Sequence, residues 1–162
     1  MQASVKFHNP SSCLVWLGAV LMFSVFSLPT RAALGGNLNS VEQDKIQMKA
    51  TVQVRQSDAY AVHEIKAPHG MVVREYVSPA GKVFGIAWQG PFMPDMHQVL
   101  GSYLPQYSAA LQEEHSKRPG RHPLNINQPG LVIETSGHMR AYYGRVFVPE
   151  LVPQAVNAGE IR

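Results

Sequence analysis

Three groups of side chains in this sequence could do chemistry: six of its seven histidines, two glutamates on neighbouring apolar stretches, and one short basic run. The six are His63, His69, His97, His115, His122 and His138, with His8 in the leader. A zinc or copper site needs three or four ligands within ~2.0–2.3 Å of one point, held by further hydrogen bonds. No spacing here announces one. His63-Glu64 followed by His69 is not the helical H-E-x-x-H motif, because adjacent residues of a strand face opposite ways. Solvated or locally bonded imidazoles are the expectation, with no metal and no other cofactor. Glu64 and Glu75 could share acid and base roles if burial raised the pKa of one and left the other low. Simple pairing of their strands around Pro68-His69-Gly70 puts both on one face. Arg74, Lys66 and Lys82 stand ready to neutralise them at a sheet edge, and that ion-pair reading is preferred. Ser78 and Ser136 lack a nucleophile elbow, and Gly35-Gly36 and Gly130 lack phosphate-loop spacing.

The basic run is Lys117-Arg118-Pro119-Gly120-Arg121-His122-Pro123. Lys117, Arg118 and Arg121 could grip phosphate or carboxylate groups by charge-assisted bonds. Of the aromatic residues, Tyr142 and Tyr143 are adjacent in a strand pattern, so one core cannot take both. One of them must face water or a partner. Lys117, Arg118, Arg121, Tyr142 and Tyr143 are therefore the candidate anion- and partner-binding residues.

These groups need a scaffold and a compartment. The 162 residues carry a net charge of +3 and 15% charged residues, too weak a basic field for nucleic acid. Lys6 precedes the apolar run Leu14 to Leu28, Pro29 ends it, and Thr30-Arg31-Ala32 offers small residues at a cleavage site. This is a signal-peptide pattern, shorter than the ~20 residues of a bilayer span. Cleavage after Ala32 leaves residues 33–162 as one domain, with a net charge of +1 and no stable membrane span. Cys13, the one cysteine, goes with the leader, so no disulfide, thiolate ligand or thiol nucleophile remains.

The expected fold is α+β. A short N-terminal helix runs from Asn39 or Ser40 to about Met48, followed by a four-strand meander over Thr51–Arg55, Tyr60–Ala67, Met71–Val77 and Lys82–Trp88. Val52 and Val54 point inward. Pairing of Val77 with Lys82 places Met71, Val73, Glu75 and Val77 on one face with Trp88, Ile86 and Phe84. Met96, Val99, Leu100, Tyr103, Leu104, Tyr107 and Leu111 form the apolar stripe of a long amphipathic helix, kinked where Pro105 crowds the carbonyl of Gly101. A mobile basic loop, 113–130, follows. A C-terminal hairpin turns at Ser136-Gly137, and residues 150–162 form a loose tail.

Four stretches carry a resemblance: Ala33-Leu34-Gly35-Gly36, Tyr76 to Phe84, Ala87 to Asp95, and Gly137-His138-Met139-Arg140. Together they resemble an uncharacterised family of exported proteobacterial proteins, domain of unknown function 2844. The resemblance implies an exported single-domain protein and brings no activity or site residue with it. The favoured expectation is a non-enzymatic module, periplasmic or secreted, that binds an envelope or secreted protein or an anionic envelope component. It would use a sheet edge, an exposed tyrosine and the basic loop. A small hydrolase or metal-dependent enzyme using Glu64, Glu75 and His63 is the alternative.

Overall fold

A computed structural model describes residues 34–37, 50–120 and 122–162. The expected leader, the expected helix before residue 49 and Arg121 lie outside the described residues. Seven strands form one antiparallel sheet: β1 (Thr51–Gln56), β2 (Ala61–Lys66), β3 (Val72–Val77), β4 (Val83–Gly90), β5 (Leu124–Gln128), β6 (Leu131–His138) and β7 (Ala141–Phe147). Their order across the sheet is β1-β2-β3-β4-β7-β6-β5. The chain leaves β4 in mid-sheet, crosses one face through α1 (Met96–Leu100) and α2 (Leu104–Lys117), and returns from the far edge until β7 closes on β4.

The α+β class stands, and the C-terminal hairpin joins the sheet where β7 pairs with β4; beyond it lies an edge strand that was not expected, β5, which takes residues assigned to the irregular loop. Only Leu124 and Ile126 alternate there between polar neighbours, too thin a pattern to announce a strand, yet both are buried. The last hairpin turns at Met139-Arg140, with Arg140 at φ +66, rather than at Ser136-Gly137. Gly137 lies within the pairing because a Cβ there would overlap the carbonyl oxygen of Ala141.

The helix kink is a full break. Gly101 takes φ +50, a 3-10 turn spans Gly101–Tyr103, and Pro105 falls in the first turn of α2, where a missing N–H costs nothing. The Asp95 side chain caps α1 by accepting from the His97 N–H at 2.9 Å. Residues 113–117 are helical, not loop, and Lys117 Nζ lies 2.6 Å from Glu113 Oε1 one turn back.

Packing divides by face. Under the helices lie Ile65, Val73, Val77, Ile86, Trp88, Ile133 and Val146, joined by Leu34. The segment holding Leu34 is pinned by backbone bonds from Leu34 N–H to the Val99 carbonyl (3.0 Å) and from Gly35 N–H to the Val83 carbonyl (2.8 Å). Glu75 is buried on this same face, opposite Ile86. A bulge between Tyr76 and Val77 sets Val77 against Val83, not Lys82, and sends Phe84 to the other face. There Phe84 meets the Tyr60 ring edge-on at 6.0 Å. Val52 packs toward the core as expected, whereas Val54 is exposed.

The C-terminal stretch, expected to be loose, covers this second face. Ile161 is 0% exposed, among Tyr76, Phe84, Phe147 and Val132. The Tyr76 hydroxyl donates to the Arg162 carbonyl (2.8 Å) and accepts from its N–H (3.0 Å). Ile161 stands between Glu160 and Arg162, and with Val156 five residues before it the two fit neither a strand nor a helix period that would betray their burial.

Gly144 of β7 lies directly under Trp88, and a Cβ there would also stand 2.8 Å from the Glu134 carbonyl oxygen. Neither neighbour has room to yield. Gly144→Ala should cost about 1–3 kcal/mol and lower Tm by roughly 3–9 °C. A thermal melt read by the fluorescence of Trp88 measures it directly.

Candidate functional site

Antiparallel register fixes which side chains stand side by side across the sheet. On the face carrying the C-terminal segment, one transverse row reads Glu64, Arg74, Ala87, Arg145, Glu134. It is an ion-pair row, mirrored about Ala87. Arg74 Nε donates to Glu64 Oε2 at 2.9 Å, Arg55 Nη2 donates to the same oxygen at 2.8 Å, and Lys66 Nζ lies 3.2 Å from Glu64 Oε1. Across Ala87, Arg145 Nε donates to Glu134 Oε2 at 2.9 Å. The same guanidinium donates through Nη1 to the carbonyls of Ala158 (3.0 Å) and Ile161 (3.3 Å), fastening the C-terminal segment. The Arg74 bond holds the Glu64 carboxyl below the usual glutamate range, against the upward push of desolvation.

This geometry overturns the shared face of the two glutamates. Glu64 stands opposite Arg74, while Glu75 stands opposite His63, so one residue of register sends them to opposite sides. Glu64, Glu75 and His63 therefore do not converge. A carboxyl held in its ionised form by Arg74 is also poorly suited to act as an acid. The expected pairing of Glu64 with Arg74 and Lys66 is what the structure contains.

A different cleft gathers what remains. It lies between the link from β4 to α1, the end of α2 and the β6–β7 hairpin, with a volume of about 730 Å³. Phe92 (45% exposed), Met93 (37%) and Met139 (83%) line it, three of the five large hydrophobic side chains exposed among the described residues. Tyr142, Thr135 and Ser136 add hydroxyls, and His115, His122 and His138 add imidazoles. No carboxylate is among the described residues that line it. His122 is fastened at both ring nitrogens, Nδ1 to the Pro123 carbonyl (3.1 Å) and Nε2 to the Arg118 carbonyl (2.9 Å). Carbonyl oxygens only accept, so both bonds form together only when the ring is doubly protonated. These two bonds raise its pKa above the ordinary imidazole value.

The five candidate binding residues do not form one site. Tyr142 lines the cleft, half-buried, while Tyr143 is 57% exposed beside the ion-pair row. Lys117 ends α2 against Glu113, and Arg118 is exposed, its N–H closing the helix on the Glu114 carbonyl at 2.8 Å. Arg121 lies outside the described residues. Of the other histidines, His69 sits in a turn at φ +69 and His97 is exposed on α1. No group of three His, Cys, Asp or Glu side chains able to hold a metal occurs among the described residues. Phe92, Met93 and Met139 were missed because distant segments meet only through the crossover from β4 to β5. Their one sequence signal was apolar side chains in glycine- and proline-rich turns, Gly90 to Pro94 and Gly137 to Arg140.

A family model described as a protein of unknown function, DUF2844, matches residues 30–161. No curated protein and no solved structure matches. Among the described residues, no helix is long and apolar enough to cross a membrane.

Two pH effects follow. The folded-state pKa of Glu64 is depressed, so its stabilisation is full above the unfolded value of ~4.3 and fades as pH falls through the folded value. Glu64→Gln should therefore flatten the acid limb of a urea-stability profile and cost about 1–3 kcal/mol near neutrality. His122 has the opposite sign: its clasp is complete below the unfolded value of ~6.5 and is lost as pH rises through the raised folded value. Amide exchange around residues 118–124, corrected for intrinsic rates, should show greater protection at about pH 6 than at about pH 8.5, and His122→Gln should remove the difference.

Proposed function

The chain belongs to the family of proteins of unknown function DUF2844, and from that premise we propose that it is a non-enzymatic binding module exported to the cell envelope. Its recognition site is the cleft at the β6–β7 hairpin. One observation carries this reading: Phe92, Met93 and Met139 spend their exposed apolar area on a single concavity. Scattered surface hydrophobes need no explanation, but a gathered patch marks a site of interaction. A volume of about 730 Å³ falls within the ~300–1,000 Å³ of ligand sites.

Supporting the non-enzymatic reading, Glu64 is separated by the sheet from Glu75 and His63 and is committed to its ion pairs. Support for export is in the sequence: Lys6, the apolar run to Leu28, and small residues around Ala32. The occupant is an envelope or secreted component, protein or anionic molecule, that meets Tyr142 and the basic end of α2.

The test is capture from the native envelope fraction, comparing wild type with the double variant Phe92→Ser, Met139→Ser. Both positions are exposed, so stability should change by less than about 1 kcal/mol in all. Wild type should retain a stoichiometric component that the variant loses. Equal retention by both, or retention by neither, would overturn the reading.

A further inference from the structure

The lining of the cleft narrows what can occupy it, and the inference rests on the cleft being the recognition site. We propose that it binds a single-chain anionic amphiphile, a fatty carboxylate, with the acyl chain against Phe92, Met93 and Met139 and the head group among the imidazoles of His115, His122 and His138.

Three properties of the lining point the same way. The first is charge. Three other grooves of the molecule carry acids of their own, Glu160 in one of about 600 Å³, Glu134 in one of about 420 Å³ and Asp58 in one of about 350 Å³, whereas an adjoining groove of about 480 Å³ that shares His138 and Tyr142 with the cleft has none and adds Arg140. The cleft at the hairpin shows none among the described residues, and Lys117 sits beside Glu113 and Glu114 at the adjoining helix end. The second is an imidazole whose cationic form the fold favours. Both N–H groups of His122 are taken by the Pro123 and Arg118 carbonyls, so its ring contributes charge while the hydroxyls of Thr135, Ser136 and Tyr142 remain to bond a head group. The charged and titratable groups acting on His122 from α2 and its end are Glu114 and Arg118, with His115 and His138 on the same cleft.

The third property is the apolar wall. Two methionines and a phenylalanine give a surface that adapts to a flexible hydrocarbon chain. A polyanion such as nucleic acid would leave that wall unused. A folded protein partner calls for ~800 Å² of matched surface on each side rather than one concavity of ligand size. An anionic head on an apolar tail uses both halves of the lining.

Calorimetric titration of the protein as purified from the envelope tests this, with dodecanoate below its micelle concentration, dodecanol as the neutral chain of equal length, and phosphatidylglycerol vesicles as the lipid surface. Dodecanoate should bind one to one and about tenfold tighter than dodecanol. Met139→Gln should weaken both ligands. His122→Gln should weaken dodecanoate by about five- to tenfold and leave dodecanol unchanged. Equal binding of the two chains would overturn the anionic class while sparing the cleft as a site. Binding of neither would overturn the amphiphile, and envelope capture with the Phe92, Met139 double variant would then decide separately whether the cleft recognises anything. Binding to vesicles without binding to free dodecanoate would also overturn it, in favour of a membrane surface.

Discussion

Strand β4 is buried without interruption from Val83 to Trp88, and a strand buried that way must be covered on both sides. Most of the architecture answers that requirement. On one side, α1, α2 and the segment at Leu34 lie over Val83, Ile86 and Trp88. On the other, the segment ending at Ile161 lies over Phe84 and Ala87. Along its edges β4 is paired to β3 and to β7, so neither edge of the most apolar strand is left as a template for other chains. The cleft opens where this cover ends. Past Gly90 the chain leaves the sheet, and Phe92 and Met93 are carried out to the β6–β7 hairpin.

How much of this could be read in advance depended on whether a segment's partner lay nearby in sequence. The strands from β2 to β4 are separated by turns containing proline and glycine, and alternation located all four from β1 to β4 within a residue or two at each end. The stripe from Met96 to Leu111 located the helices, though not their break at Gly101. What failed were features decided at a distance. A bulge at Tyr76 is invisible to a strict two-residue period, and it moved Phe84 across the sheet. One position of register between β2 and β3 separated Glu64 from Glu75, which no property of either residue foretells. The cleft was the least legible part, since its apolar wall joins residues 92, 93 and 139 only after β7 has docked.

The two basic regions show why a count of cations is a poor guide to a binding surface. The arginines beside Ala87 are plentiful but committed, Arg74 to Glu64 and Arg145 to Glu134 and the carbonyls of Ala158 and Ile161. Their work is to fasten strands to one another and to the segment above. The positive end of the cleft has fewer charges, and the cationic form of His122 is favoured by two neutral backbone oxygens. Such a cation is not cancelled by the bonds that hold it in place.

The burial of Ile161 also bears on how the molecule comes into being. Translation delivers Tyr76, Phe84 and Phe147 long before the residue that seals them, so the nascent chain keeps an uncovered aromatic surface until position 161 has left the ribosome.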